Sequence, residues 1–248
     1  MLIHGFAEDM SIWHHQIDYL KNKFRLIIPD IPGSGGSSPL TLFKNGSPPA
    51  IMDDYAACLL HLLDQEGIEK CNLVGHSMGG YVALAFAELY PSRINKLSLF
   101  HSTAFPDSEE KKAARRKSNE FIKSYGSAPF IEQAIPNLFD EPFRKSSPEK
   151  IENLIERYAN FPAEALVSYY EAMILRPDRT HVLQNFKNPV QFIIGENDKA
   201  VPLEQSLRQC HIPQISYIHV LEKSAHMGML EDPDETNRML ENFLDRTL

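Results

Sequence analysis

The sequence predicts an α/β protein: a mostly parallel sheet flanked by helices, with a helical cap inserted late in the sheet. Three observations predict it. Short apolar runs alternate with amphipathic helical stretches through the early chain, the alternation stops between Ala104 and Lys187, and it resumes from Val190 onward. A β-α-β-α rhythm implies parallel strands, because each helix carries the chain back before the next strand, and helices then cover both faces.

The elements follow in order. Met1–Ile3 is a short apolar start, and Ser11–Leu20 places Ile12, Gln16, Ile17 and Leu20 at helical spacing. Phe24–Ile28 reads as a strand-like run that stops at Pro29-Asp30, and Ile31–Pro49 as a Gly/Ser/Pro loop. Ile51–Gln65 is an amphipathic helix, with Tyr55, Cys58, Leu59, Leu62 and Leu63 on one stripe. Asn72–Val74 is a short strand, Met78–Tyr90 a helix, and Leu97–Phe100 a further strand. Helical patterns then occupy Glu109–Ser124, Pro129–Phe139, Ile151–Asn160 and Ala163–Leu175. The strand Val190–Ile194, a helix over Leu203–Cys210, the strand Ser216–Leu221 and a last helix over Pro233–Arg246 complete the chain. Residues 1–103 and 188–248 are therefore expected to form the core, and residues 104–187 a helical cap on it.

Composition narrows the function. The 248 residues hold 25 Lys and Arg against 33 Asp and Glu, a net charge of −8, with 43% hydrophobic and 23% charged residues. Those are globular values, which exclude a disordered chain, and the acidic balance argues against a nucleic-acid partner. No apolar run approaches the roughly 20 residues that span a bilayer, and the start lacks the pattern of a secretory signal, so a cytoplasmic protein with no membrane span is expected. Cys58, Cys71 and Cys210 are too scattered for a disulfide framework and read as small core residues. The run Glu109–Lys117 reads as a solvated helix face with Asp107–Lys111 and Glu109–Lys112 pairs; contact with an acidic carrier protein or an anionic substrate is the alternative.

The strongest local signal is Gly75-His76-Ser77-Met78-Gly79, set between a strand and a helix. A serine on such a sharp turn is lifted clear of the sheet, and small residues two before and two after it let the flanking segments approach (a nucleophile elbow). Serine needs a base, and the base an orienting acid. Asp198 lies in Gly195–Pro202 after one predicted strand, and His226 follows the next, in Glu222-Lys-Ser-Ala-His226-Met-Gly-Met-Leu-Glu231-Asp-Pro. Parallel strands deliver their carboxyl ends to one rim, so the three loops can converge. An oxyanion needs two fixed N–H donors, for which the backbone of Met78 and of Phe6, in His4-Gly5-Phe6, is placed.

Rival assignments are weaker. Asp107, after the strand Leu97–Phe100, competes with Asp198 for the acid, and the Gly195–Pro202 context favours Asp198. His4 and His76 read as structural hydrogen-bonding residues, and the other histidines, His101 among them, show no metal-ligand spacing, so neither metal nor cofactor is expected. Gly33-Ser-Gly35-Gly36 lacks the spacing of a nucleotide loop. Of the cap's aromatic residues, which include Phe105, Phe121, Tyr125, Phe130, Phe139, Tyr158, Phe161, Tyr169 and Tyr170, a minority are expected to line an apolar pocket above Ser77, with Phe6 and Trp13 below.

Taken together, His4-Gly5-Phe6, Asp30-Ile-Pro-Gly33-Ser-Gly35, Gly75–Gly80, Gly195–Pro202 and Ala225–Pro233 resemble the α/β-hydrolase superfamily, in the branch with a helical cap. The sequence is similar to the esterases, perhydrolases and carbon–carbon bond hydrolases of that branch. The resemblance implies Ser77 as nucleophile, His226 as general base, Asp198 as its acid, and Phe6 and Met78 as oxyanion donors. Relatives carry two antiparallel strands before the His-Gly pair, which are expected to be missing here. The implied function is hydrolysis of a small-molecule carboxylic ester. Carbon–carbon bond hydrolysis or perhydrolysis by the same triad is the alternative, as is a non-catalytic binding protein of this fold.

Overall fold

A computed structural model describes residues 1–40 and 49–246. Among them five strands form one parallel sheet in sequential order: β1 (Leu2–Ile3), β2 (Cys71–His76), β3 (Ile94–Phe100), β4 (Val190–Gly195) and β5 (Ser216–Leu221). The helices are α1 (His14–Leu20), α2 (Met52–Gln65), α3 (Met78–Leu89), α4 (Glu109–Tyr125), α5 (Ser127–Ala134), α6 (Glu141–Ser146), α7 (Pro148–Tyr158), α8 (Ala163–Leu175), α9 (Thr180–Asn185), α10 (Leu203–Gln209), α11 (Gly228–Glu231) and α12 (Pro233–Asp245). Helices α4 to α9 all fall between β3 and β4 and form a helical insert. None of the described helices is long and apolar enough to cross a membrane.

The expected parallel sheet is present, and one element of it differs. Phe24–Ile28 forms no ladder. It runs beside β1 and accepts the Leu2 N–H at Ile27 O, 2.9 Å. A strand of two residues has too few backbone groups facing outward to extend the pairing. Residues 41–48 of the predicted Gly/Ser/Pro loop lie outside the described residues. Short helices α6, α9 and α11 stand where no helix is predicted, because four to six residues make too little periodicity to read.

The chain leaves β1 toward the Phe24–Ile28 side and returns through α2 to β2 on the other side. The loops after β1 and β2 therefore part in opposite directions at the carboxyl edge. Both faces of the sheet are covered: β4 is buried along its whole length. On one face a polar chain fastens the last helix. Ser98 Oγ donates to Gln191 Oε1 (2.8 Å), and Gln191 Nε2 donates to Met239 O of α12 (2.9 Å). Lys96, on the same face of β3, donates to the carbonyls of Phe243 and Leu244, where the helix dipole favours a cation. At the far end of the insert Arg179 pairs with Glu88 (2.8 Å) and Asp53, joining the insert's return to α3 and α2.

The Ser98–Gln191–Met239 chain sets a stability prediction. Gln191→Leu strands the buried Ser98 hydroxyl and lowers the unfolding free energy by about 1–3 kcal/mol in urea titrations. Adding Ser98→Ala recovers part of that loss, since the orphaned hydroxyl then leaves with its partner.

Candidate active site

Ser77 sits between β2 and α3 at φ 49°, ψ −115°, a conformation that a residue with a side chain rarely adopts. Holding it there costs on the order of 1–3 kcal/mol, and the surroundings enforce it. A Cβ on Gly75 would fall inside 3.0 Å of the backbone of Gly79 and Gly80, and one on Gly79 inside 3.0 Å of the Ile3 and His4 carbonyl oxygens. Those approaches explain the two glycines that flank the serine. Ser102 Oγ donates to Ser77 O (2.7 Å), and Gln209 braces the Ser102–Ala104 segment through Ser102 O and the Ala104 N–H, each at 2.8 Å.

The three predicted loops meet. His226 Nε2 lies 2.9 Å from Ser77 Oγ, and His226 Nδ1 lies 2.7 Å from Asp198 Oδ2. The other carboxylate oxygen of Asp198 accepts the N–H groups of Ala200 (2.7 Å) and Val201 (2.9 Å), so the acid cannot swing away without losing both. His226 and Asp198 are each 4% exposed, while Ser77 is only half-buried. A serine that is only half-buried is thus joined to a sheltered imidazole and carboxylate. Asp107, the rival acid, is engaged elsewhere, with Arg115 Nε at 2.6 Å and Arg176 Nη1 at 3.0 Å. Burial works to raise its carboxyl, and the hydrogen bond and charge of Arg115 overcome this and hold it below the usual range. Arg115 of the basic run is accordingly turned inward, while Lys112 pairs with Glu109 on the surface.

Met78 opens α3, so its N–H has no partner within the helix. The Phe6 N–H has none among the described residues, and the next residue, Ala7, holds φ 58°. The Phe6 ring stacks on Tyr170 (centroids 4.2 Å apart) and meets Phe130 edge-on at 6.0 Å, which makes an apolar wall shared by the core and the insert. Trp13, expected to contribute to this pocket, does not. It is 0% exposed, edge-on to Phe100 at 5.6 Å, and offers no surface to a ligand. Its place one residue before α1 turns the indole into the core under the sheet.

Several polar residues support the site, and of the three that follow the sequence singles out only His76. His76 faces acceptors on both sides, Glu8 Oε2 at 3.0 Å and His226 O at 2.9 Å, so its ring carries both protons. Burial opposes that charge, and the neighbouring Glu8 carboxylate prevails and raises the His76 value. His101, at φ 48°, lies at the centre of the rim: the Gly195 N–H points to its Nδ1 (3.0 Å) and the Gly228 N–H to its Nε2 (3.2 Å). Burial, with His226 and His76 nearby, holds His101 neutral, well below the ordinary 6.5. Glu231 accepts the N–H groups of Ala225 and Met227 at Oε2 (3.0 Å each) and of Asp140 at Oε1 (2.6 Å). Burial pushes its carboxyl up to about 7 against the pull of those donors. The glutamate is visible in the sequence five residues after His226, but its partners are backbone groups, which leave no mark there. Among the described residues, no group of His, Cys, Asp or Glu stands as a metal site.

A hydroxyl, an imidazole and a carboxylate on the carboxyl rim of a parallel sheet define a class of hydrolase fold, and the family comparison agrees. Residues 1–233 match the family model described as the alpha/beta hydrolase fold, and the chain belongs to that family. It is a hydrolase of that fold. An esterase from Thermogutta terrifontis superposes with a TM-score of 0.91 at 32% identity, over 98% of this chain and 88% of the esterase. A 2-hydroxy-6-oxononadienedioate/2-hydroxy-6-oxononatrienedioate hydrolase from a Pseudomonas species is 26% identical over 99% of this chain and 87% of its own length. The 3-oxoadipate enol-lactonase 2 of Acinetobacter baylyi is 28% identical over 98% and 86%.

His101 generates a pH prediction. Its folded value lies below its unfolded one, so the unfolded chain binds a proton first as pH falls below 6.5. The stability tied to the neutral ring is complete above that value and drains away on acidification. Unfolding free energies measured in urea at successive pH values fall less steeply below 6.5 for His101→Gln than for the unaltered protein.

Proposed function

We propose that the protein hydrolyses a carboxylic ester of a small molecule through an acyl-enzyme on Ser77. The observation that carries this reading is the unbroken relay from Ser77 Oγ through both nitrogens of His226 to Asp198. Serine alone is a weak nucleophile at neutral pH, and a base at 2.9 Å removes its proton as the oxygen attacks the ester carbonyl. Asp198 keeps the Nδ1 proton in place and stabilises the imidazolium that forms. The oxyanion is held by the N–H groups of Met78 and Phe6. His226 then passes its proton to the leaving alcohol, and water attacks the acyl-enzyme by the same route.

The helical insert serves as the cap, and its aromatic side chains Phe130 and Tyr170, with Phe6, favour a small to medium apolar acyl group. A second reading, carbon–carbon bond hydrolysis by the same residues, is favoured by the Pseudomonas relative named above. In that reading the leaving group is carbon, which departs as an enolate of the substrate's own neighbouring carbonyl and takes its proton from His226.

A fluorophosphonate probe should label one serine, mapped by mass spectrometry to Ser77, and Ser77→Ala should remain unlabelled. His226→Ala should keep its circular dichroism and lose about 10⁴- to 10⁶-fold in acylation rate. A folded protein that leaves Ser77 unmodified would exclude the serine-hydrolase reading. Nitrophenyl esters of graded chain length should be turned over. Absence of ester turnover combined with cleavage of a vinylogous diketone would replace the first reading by the second.

A further inference from the structure

The backbone around His226 is tied on every side. Its N–H donates to Leu138 O of the insert (2.9 Å), and its C=O accepts from His76 Nε2 (2.9 Å). The N–H groups on either side, Ala225 and Met227, both donate to one oxygen of Glu231 at 3.0 Å. The other Glu231 oxygen takes the Asp140 N–H, two residues beyond Leu138, at 2.6 Å. The insert and the His226 loop therefore exchange hydrogen bonds in both directions across a junction only a few residues wide. Among the described residues every hydrogen bond to Glu231 comes from a backbone N–H, so both of its oxygens act as acceptors.

We propose that Glu231 is a positioning residue for the hydrolysis inferred above. It latches the Leu138–Asp140 segment of the insert to the His226 loop, so that seating of the insert sets where the imidazole stands relative to Ser77. The inference rests on the serine-hydrolase reading. It adds that the insert does more than wall the pocket. A displacement of Leu138–Asp140 pulls on the N–H of His226 itself, and Glu231 bridges the two segments through both of its oxygens.

Two variants test the two halves of the latch. Glu231→Gln keeps size and shape but sets an amide N–H against a backbone donor. Asp140→Pro deletes the donor from the other side. Asp140 lies at φ −64° after an extended Phe139 (φ −105°, ψ 150°) and makes no capping bond of its own, so proline fits the backbone there. The proline ring points at Glu231 and displaces the carboxylate. Each variant should lower kcat on a short nitrophenyl ester, and the rate of fluorophosphonate labelling, by about 10- to 100-fold, the penalty of a misplaced catalytic group. KM should stay within about twofold, because the apolar wall is untouched. The double variant should be no slower than the slower single one, since either change already opens the same latch. Unchanged kcat in Glu231→Gln, a rise in KM with kcat preserved, or losses that multiply in the double variant would each overturn the latch. If the unaltered protein fails to label, the underlying hydrolase reading falls. If it labels and the variants label equally fast, only the latch does.

Discussion

Parallel pairing is the constraint on which everything else rests. Once β1 to β5 run the same way, their carboxyl ends lie on one rim, and residues as distant along the chain as Phe6, Ser77, Asp198 and His226 are delivered to a common edge. An antiparallel step anywhere among β2, β4 and β5 would send one of the three loops to the opposite end. The reversal of direction beside β1 then parts the loops that carry Phe6 and Ser77.

The strained turn at Ser77 and the polar scaffold beneath it are consequences of that convergence. Packing a helix N-terminus against the ends of β1 and β2 brings backbone against backbone, and only glycine at positions 75 and 79 allows it. Bringing several loop ends together also buries polar groups that water no longer serves. His76 with Glu8, His101 with one of the two glycine N–H groups that face its ring, and Glu231 with three backbone donors meet that demand. An unmet group of this kind would cost about 1–3 kcal/mol, a large part of a domain's net stability, which is why the rim is densely bonded.

How much of this was legible in the sequence depended on the range of the interaction. The helices α2, α3, α4, α8 and α12 carry apolar stripes or capping residues of their own, and they stand within a residue or two of their expected places. Phe24–Ile28 looked as much like a strand as Val190–Ile194, yet only the second has a neighbour long enough to pair with. Trp13 carried the right chemistry for a pocket wall, but the entry into α1 turned it under the sheet. His101 and Glu231 were invisible as site residues because their partners are main-chain N–H groups.

The order of apolar runs, the glycines around Ser77 and the positions of Asp198 and His226 after strand-like segments are local properties, so the sequence alone determined the parallel α/β architecture and named the candidate relay. How Asp198 is anchored, which aromatic rings the core and the insert share, and how the insert is fastened to the His226 loop were decided only by the tertiary structure. Each depends on side-chain and backbone groups far apart in the chain competing for a few hydrogen-bonding positions in a dry interior, and that competition is settled by distance in space.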